Sequence, residues 1–329
     1  MRRPRVVCIG GGTGQAQVLR GLAGFPVRLT SIVNVTDNGG HSGFLRKTLS
    51  IPPVGDVRNC LAALAHDGVA TELMNTRFRQ GALDGTSLGN LMLAALIPAH
   101  GSLSKAVAAM GRLLNVGHKV LPVADRPADI CAELEGGRIV RGEWQIILRR
   151  PRLAIRRLFH EPPVPALTEC LSAIRRADLI VICPGALLAA VVSCLVASGV
   201  REAVQSSRAR IAQVCNIMTL PGQTDRFAVS DHFHTVARYL GRRPDALIVN
   251  TGLPDRRAMR EYRRMGSELV RDDVVKLENV RVIRGDFLTR RPPPDDRGGR
   301  GLYLSLPHTI RHDVGKLSRI LYRLAREAH

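Results

Sequence analysis

Apolar residues recur along this chain in two rhythms. Short unbroken apolar runs occupy Arg5–Gly10, Val27–Val35, Lys119–Val123, Leu179–Cys183, Ile211–Cys215, Ala246–Asn250 and Val280–Arg284. Longer stretches with apolar positions three and four apart lie between most of them. These are Gln15–Ala23, Asn59–His66, Leu88–Ile97, Leu103–Leu114, Ala166–Arg176, Leu187–Ala197, His232–Leu240 and Arg257–Met265. The first rhythm reads as strands buried on both faces, the second as helices. Their alternation predicts an α/β fold on a mainly parallel sheet, whose ligands lie at the carboxyl ends of the strands.

Three segments depart from this rhythm. Ile130 to Glu143 reads as two short strands around Gly136-Gly137, a β-hairpin insertion near 129–144. Residues 291–301, rich in Pro, Gly and Asp, read as a flexible loop. Past them, Leu317, Ile320, Leu321 and Leu324 mark a terminal helix with Asp313 as its cap.

Polar chemistry gathers where the strands end. The first strand runs into Gly10-Gly-Gly-Thr-Gly14 and then a helix. Backbone N–H groups of Gly11, Gly12, Thr13 and Gly14 then sit at the positive end of a helix dipole, which is a phosphate-binding corner. The spacing fits neither the dinucleotide fingerprint nor the P-loop, and a tight turn without a ligand would also explain it. After the second strand comes Asp37-Asn-Gly-Gly-His-Ser-Gly43, read as glycine-rich turns around Asp37, Asn38 and Ser42. An acid there can accept from a ribose hydroxyl or hold magnesium beside phosphate oxygens.

Next are Asp56, Arg58 and Asn59, at the start of a helix. Asp56 alone is explained as an N-cap. An arginine in a first helical turn opposes the dipole and makes better sense facing an anion. Ser87 reads as a cap and Asn90 as a hydrogen-bonding partner for a base or sugar. Cys183-Pro184-Gly185 reads as a second anion corner. Asn216, Thr219, Thr224 and Asp225 follow the strand Ile211–Cys215, and Ser230-Asp231 reads as a further cap.

Composition trims the alternatives. The 329 residues carry a formal charge of +20, which invites nucleic acid. Yet five of the 48 basic residues are lysine and the rest arginine, spread along the chain, and aromatics are 4%. Stacking platforms are therefore scarce, and nucleic acid is disfavoured as a specific partner. Mean hydropathy is +0.01, and the longest apolar stretch, Leu179–Val200, is broken by Pro184-Gly185, so no membrane insertion is expected. Met1-Arg-Arg-Pro precedes too few apolar residues for a signal-peptide core. Seven cysteines, odd in number and without a C-x-x-C, read as buried reduced thiols in a cytoplasm. No zinc spacing occurs.

Several of these segments carry a resemblance. Ile9-Gly-Gly-Gly-Thr-Gly14, Thr36 to Gly43, Pro52-Pro-Val-Gly-Asp-Val-Arg-Asn59 and Ser87-Leu-Gly-Asn-Leu91 resemble the YvcK, or gluconeogenesis-factor, family. So do Pro184-Gly185, Asn216-Ile-Met-Thr219, Pro221 to Asp225, Ser230-Asp-His232 and Arg311-His-Asp313, in the family's order and over nearly the whole chain. That family is related to 2-phospho-L-lactate transferase (CofD-like). The resemblance implies one Rossmann-like, three-layer αβα domain over 1–329. It implies a cytoplasmic binder of UDP-sugars such as UDP-N-acetylglucosamine, acting through regulatory protein partners or as a homo-oligomer. Such proteins support growth on gluconeogenic carbon, cell shape and peptidoglycan synthesis.

In the transferase relatives two acids hold magnesium, and Asp37 and Asp56 match them. No catalytic residue is assigned. The chain departs from the pattern at Asn38, where a second aspartate is usual, and at Ala186, Leu188 and Ala190, where hydroxyl side chains are usual. The thinned acids and the lack of a nucleophile set favour binding over catalysis. A magnesium-dependent transferase is the alternative.

Overall fold

The computed structural model describes residues 2–66, 68–290 and 309–328. The 291–301 loop reading lies outside them. Among the described residues ten strands form two sheets. The main sheet comprises β1 (Arg5–Gly10), β2 (Arg28–Val33), β3 (Lys119–Pro122), β7 (Leu179–Ile182), β8 (Arg210–Val214), β9 (Ala246–Asn250) and β10 (Arg281–Gly285). Its spatial order is β10-β9-β8-β7-β1-β2-β3, and every pairing is parallel. All seven strands read from the apolar runs are present, with ends that agree to within two residues.

The physical cause is burial from both sides. Val6 to Ile9 and Leu179 to Ile182 are almost fully buried on both pleat faces, between helices above and below. The Gln15 amide reinforces the centre, donating to Cys8 O (2.9 Å), Ser31 Oγ (3.0 Å) and Ile32 O (3.1 Å) and so tying β1 to β2. All seven cysteines are buried free thiols.

The chain leaves β1 toward β2 and β3 on one side, then returns to β7 on the other. The strand order therefore reverses between β1 and β7, and crevices form outside such a point. Helices α1 (Gly12–Ala23), α2 (Gly40–Leu49) and α3 (Gly55–Leu64) follow the first two strands. Here the sequence reading needs correction. Residues 40–43 open a helix rather than a turn, because Gly43 packs onto the backbone of Asn38, where a Cβ would collide. Helix α3 begins a full turn before Asn59, at Gly55, so Asp56 lies inside the first turn and is not the cap. Ser87 does cap its helix, accepting from Asn90 N at 3.3 Å, and Asp313 caps the terminal helix Val314–Glu327, accepting from Lys316 N at 2.8 Å. Ser230 and Asp231 lie inside their helix, which starts at Val229. Asp231 accepts from Ala228 N, while Ser230 bonds Asp273.

Between β3 and β7 sits the second sheet. The hairpin of β4 (Asp129–Leu134) and β5 (Ile139–Arg141) turns at Gly136 and Gly137, both with positive φ, as a primed turn requires. A third antiparallel strand, β6 (Ile155–Glu161), flanks β4, so the insertion extends to 161 rather than 144. A short helix, Glu143–Leu148, follows the hairpin. The insertion is fastened to the main sheet by buried polar groups. The His160 ring on β6 lies 3.3 Å from Ser193 Oγ, which lies 2.7 Å from Thr36 Oγ1 just past β2. Burial pushes the His160 imidazole down to about 4, so the link is neutral at physiological pH.

Candidate functional site

A cavity of about 420 Å³ opens at the carboxyl ends of β1, β2, β7 and β8, outside the reversal point. The sequence-predicted residues Gly11, Gly12, Thr13, Gly14, Asp37, Ser42, Asp56, Arg58, Asn59, Asn90, Pro184, Gly185 and Asn216 all line it. They come from six separate segments of the chain, brought together by the parallel topology.

The remaining predicted residues lie elsewhere. Asn38 is not in the lining. Its side-chain oxygen accepts from Trp144 N (3.1 Å) and its amide donates to Gln145 (3.2 Å), so it holds the insertion helix in place. Ser87 is fully buried as a cap. Thr224 is fully buried and accepts from Leu220 N at 2.8 Å. Thr219 and Asp225 line a different cavity.

The two glycine corners differ from their sequence reading. At the first, Gly12 N–H hydrogen-bonds the Asp56 carboxyl group, so a protein oxygen already sits at the start of α1. Gly11 and Gly14 are required for contact: a Cβ on Gly11 would strike Asp56 and Asn34, and one on Gly14 would strike the Pro184 carbonyl. At the second corner the backbone donors are consumed. Gly185 N donates to Asn216 Oδ1 (3.0 Å), and Asn216 Nδ2 returns a bond to Gly185 O (2.7 Å). Leu188 N and Ala189 N both donate to Gln223 Oε1 (3.0 and 3.1 Å). The helix that starts there, Leu187–Val192, is a π-turn, with Val191 N reaching back five residues to Ala186 O. The corner read as a second anion site is thus closed by protein groups.

Three acids meet in the cavity wall. Asp37 accepts from Gly39 N (2.9 Å), and Asp56 from Asn34 Nδ2 (2.8 Å). Burial raises the Asp37 carboxyl, opposed by its bonds to Gly39 and Ser42 and by Arg46. Burial first, then the Asp37 charge, pushes Asp56 up to about 7. Glu143, carried in by the insertion, is raised well above the carboxylate range by burial and by both aspartates. Arg58 counters Asp56, and Arg77 and Arg311 also line the cavity. Arg58 itself is only 6% exposed and donates to Asn75 Oδ1 at 2.7 Å.

Magnesium fits this donor set in one respect. Asp37 and Asp56 offer hard carboxylate oxygens, with the Asp37 charge close enough to push the Asp56 carboxyl up, and magnesium is usually held by one or two carboxylates with water and substrate phosphates. Among the described residues no three acidic, His or Cys side chains form a closed cation site.

Apolar side chains also line the cavity: Ile217, Met218, Leu220, Tyr262 and Ile310. His312 is in the lining too, its imidazole lowered to about 4 by burial and bonded to the Cys215 backbone. The sequence reading missed Glu143, Trp144, Arg77, Tyr262 and His312. Arg311-His-Asp313 was visible as a motif, but nothing local tied it to strands more than fifty residues away. Ser230-Asp-His232, also a motif, is structural, with the His232 ring 2.9 Å from Ala228 O. No described helix is long and apolar enough to cross a membrane.

Fold and cavity define a Rossmann-like α/β protein with its cleft at the strand-order reversal. The family model for 2-phospho-L-lactate transferase CofD matches residues 6–288. A putative gluconeogenesis factor of Thermotoga maritima is 40% identical over 324 residues, 98% of this chain and 99% of its own. The gluconeogenesis factor of Bacillus subtilis is 37% identical over 333 residues, 99% of each chain. A crystal structure of a Bacillus halodurans protein matches with a TM-score of 0.88 at 37% identity, covering 97% of this chain and 99% of that one. The chain belongs to the gluconeogenesis-factor (YvcK) family, within the CofD family.

Proposed function

We propose that this protein is a nucleotide-sugar-binding regulator of the gluconeogenesis-factor type, with UDP-N-acetylglucosamine or a close relative as its ligand. The observation that carries this reading is the mixed lining of the cavity. It gathers the α1 corner, Arg58, Arg77 and Asn90, suited to a diphosphate and sugar, together with apolar Ile217, Met218 and Leu220, suited to a base. Asn90 is 4% exposed and its Oδ1 has no hydrogen-bond partner among the described residues, so a ligand donor would satisfy it. Expected affinity is micromolar, roughly −8 kcal/mol. The role assigned by this reading is cytoplasmic, through protein partners or self-association, in support of cell shape and peptidoglycan synthesis on gluconeogenic carbon. Titration calorimetry with UDP-N-acetylglucosamine, UDP-glucose and GDP tests it. Response to GDP alone would overturn the uridine reading.

A second reading is favoured by the acid pair. Asp37 and Asp56 would hold magnesium against ligand phosphates, as in a phosphotransferase. Asp37→Asn should then abolish any magnesium dependence of ligand binding. If the acids serve only the turn, the change leaves binding alone.

A further inference from the structure

A second cavity, of about 640 Å³, lies on the other side of the π-turn from the first. It is bounded by residues 149–158 of the insertion, by the 219–227 segment and by the helix Val229–Leu240. Leu153, Leu158, Leu188 and Phe227 give it apolar walls, and Tyr239, whose hydroxyl accepts from Leu158 N at 2.7 Å, joins helix to sheet there.

Its charges are not balanced internally. Arg149 donates to the carbonyls of Ile146, Leu153 and Gly222, and Arg152 pairs with Asp225. Arg226 and Arg238 also line the cavity. Among the described residues neither has a carboxylate partner. Arg238 has only the neighbouring Tyr239 ring, 5.8 Å away. Arg226 is further marked by its backbone. It stands at φ +63°, a left-handed conformation that glycine and asparagine hold far more readily than arginine. A residue held in that conformation at the edge of a cavity is a reason to look for a ligand. Among the described residues Glu268 is the one other acid in the lining, and no arginine in the cavity pairs with it.

We propose that this cavity is a ligand site for a small phosphate monoester with a compact apolar body. The guanidinium groups of Arg226 and Arg238 would take the phosphate dianion in charge-assisted hydrogen bonds, and Leu153, Leu158 and Phe227 would cover the carbon body. The site is coupled to the first cavity. Leu188 lines the second cavity while Ala186 and Ala190, on the same turn, line the first. Gln223, itself in the second lining, fixes that turn through the Leu188 and Ala189 N–H groups. A ligand that favours one setting of the turn therefore changes affinity at the other cavity, in both directions equally.

The test uses phenyl phosphate as probe, with phenol and inorganic phosphate as its two halves. Calorimetry on the full chain is expected to show saturable phenyl phosphate binding at submillimolar Kd. The double variant Arg226→Gln/Arg238→Gln should weaken it at least tenfold, and Arg58→Gln, in the first cavity, should leave it within twofold. Both arginines are exposed, so the double variant should fold, which its melting curve checks. Absence of saturable binding overturns the site. So does loss of binding in Arg58→Gln with retention in the double variant, which places the probe in the first cavity. Phenol binding as tightly as phenyl phosphate overturns the anion assignment. The coupling rests on the nucleotide-sugar reading: saturating phenyl phosphate should shift the UDP-N-acetylglucosamine Kd at least threefold, and no shift overturns the coupling. Failure of the UDP-sugar to bind at all strikes that reading and leaves the phenyl phosphate result standing.

Discussion

Two glycine corners touch across the cavity floor, and they are built alike. Each ends a central strand, β1 or β7, and each opens a helix. At Gly11–Gly14 the corner looks into the cavity, with Asp56 at the helix start and Arg58 beside it. At Pro184–Gly185 the donors have been taken over by Asn216 and Gln223. The difference is not in the glycines. It lies in two amide side chains delivered from the segment after β8. A glycine turn before a helix offers N–H groups, and what else the fold brings there decides whether a ligand can use them.

The sharpest way to break the comparison is to push the corners apart. Gly14→Ala sets a methyl against the Pro184 carbonyl, which is backbone and cannot step aside. The expected loss is about 3 kcal/mol or more, read by urea denaturation. A loss below about 1 kcal/mol would mean the corners are not in contact. Gln223→Leu tests the sealed corner alone. It strips the acceptor from two buried N–H groups and should cost about 2–4 kcal/mol. Gln223→Glu, which keeps the acceptor oxygens, should recover part of that.

The open corner should show a pH signature that the sealed one lacks. Asp56 is raised from 3.8 to about 7 in the folded protein, so the folded state binds a proton that the unfolded state has released over that range. Stability of the unliganded protein should therefore fall as pH rises from about 4 to about 7, by about 2 kcal/mol once screening is allowed for. Asp56→Asn should flatten the dependence. Melting curves at pH 5 and pH 7 measure it, and an unchanged slope in the variant shifts the assignment to Glu143 or Asp37. The smallest effect is at Arg58. Arg58→Lys loses the planar fork, and nucleotide-sugar affinity should drop about tenfold, or 1.4 kcal/mol. It also loses the Asn75 bond. Asn75→Ala is the control, removing that bond and sparing the guanidinium.

The fold was legible because its strands are buried on both faces. Val6 to Ile9 and Leu179 to Ile182 have no polar alternation to confuse them, and the parallel sheet follows. What was missed has a physical reason in each case. Helix α2 follows Gly39 and has Gly40 and Gly43 in its first turn, poor helix formers beside close packing at Gly39 and Gly43. Strand β6 carries Arg156, Arg157 and His160 among its apolar positions, which hides its period. In the cavity, residues just after β1, β2 and β7 could be found because strand ends are local signals. Glu143 and Trp144 arrive on an insertion, and Arg311 and His312 from the far end of the chain, through contacts that no spacing encodes. Thr219, Thr224 and Asp225 were drawn into the site by their position after β8, but the segment turns to the other side of the π-turn.

Trp144 has one more use. It is the protein's single tryptophan, and it lies in the cavity wall, packed against Gly39, where any Cβ would collide with its ring nitrogen. Light emitted by the whole molecule under tryptophan excitation therefore comes from one spot beside the acids of Asp37 and Glu143. Exchange of solvent around that indole for a bound molecule should change its colour and yield. The unmodified protein thus carries its own optical gauge of occupancy, needing no label and reading only this cavity.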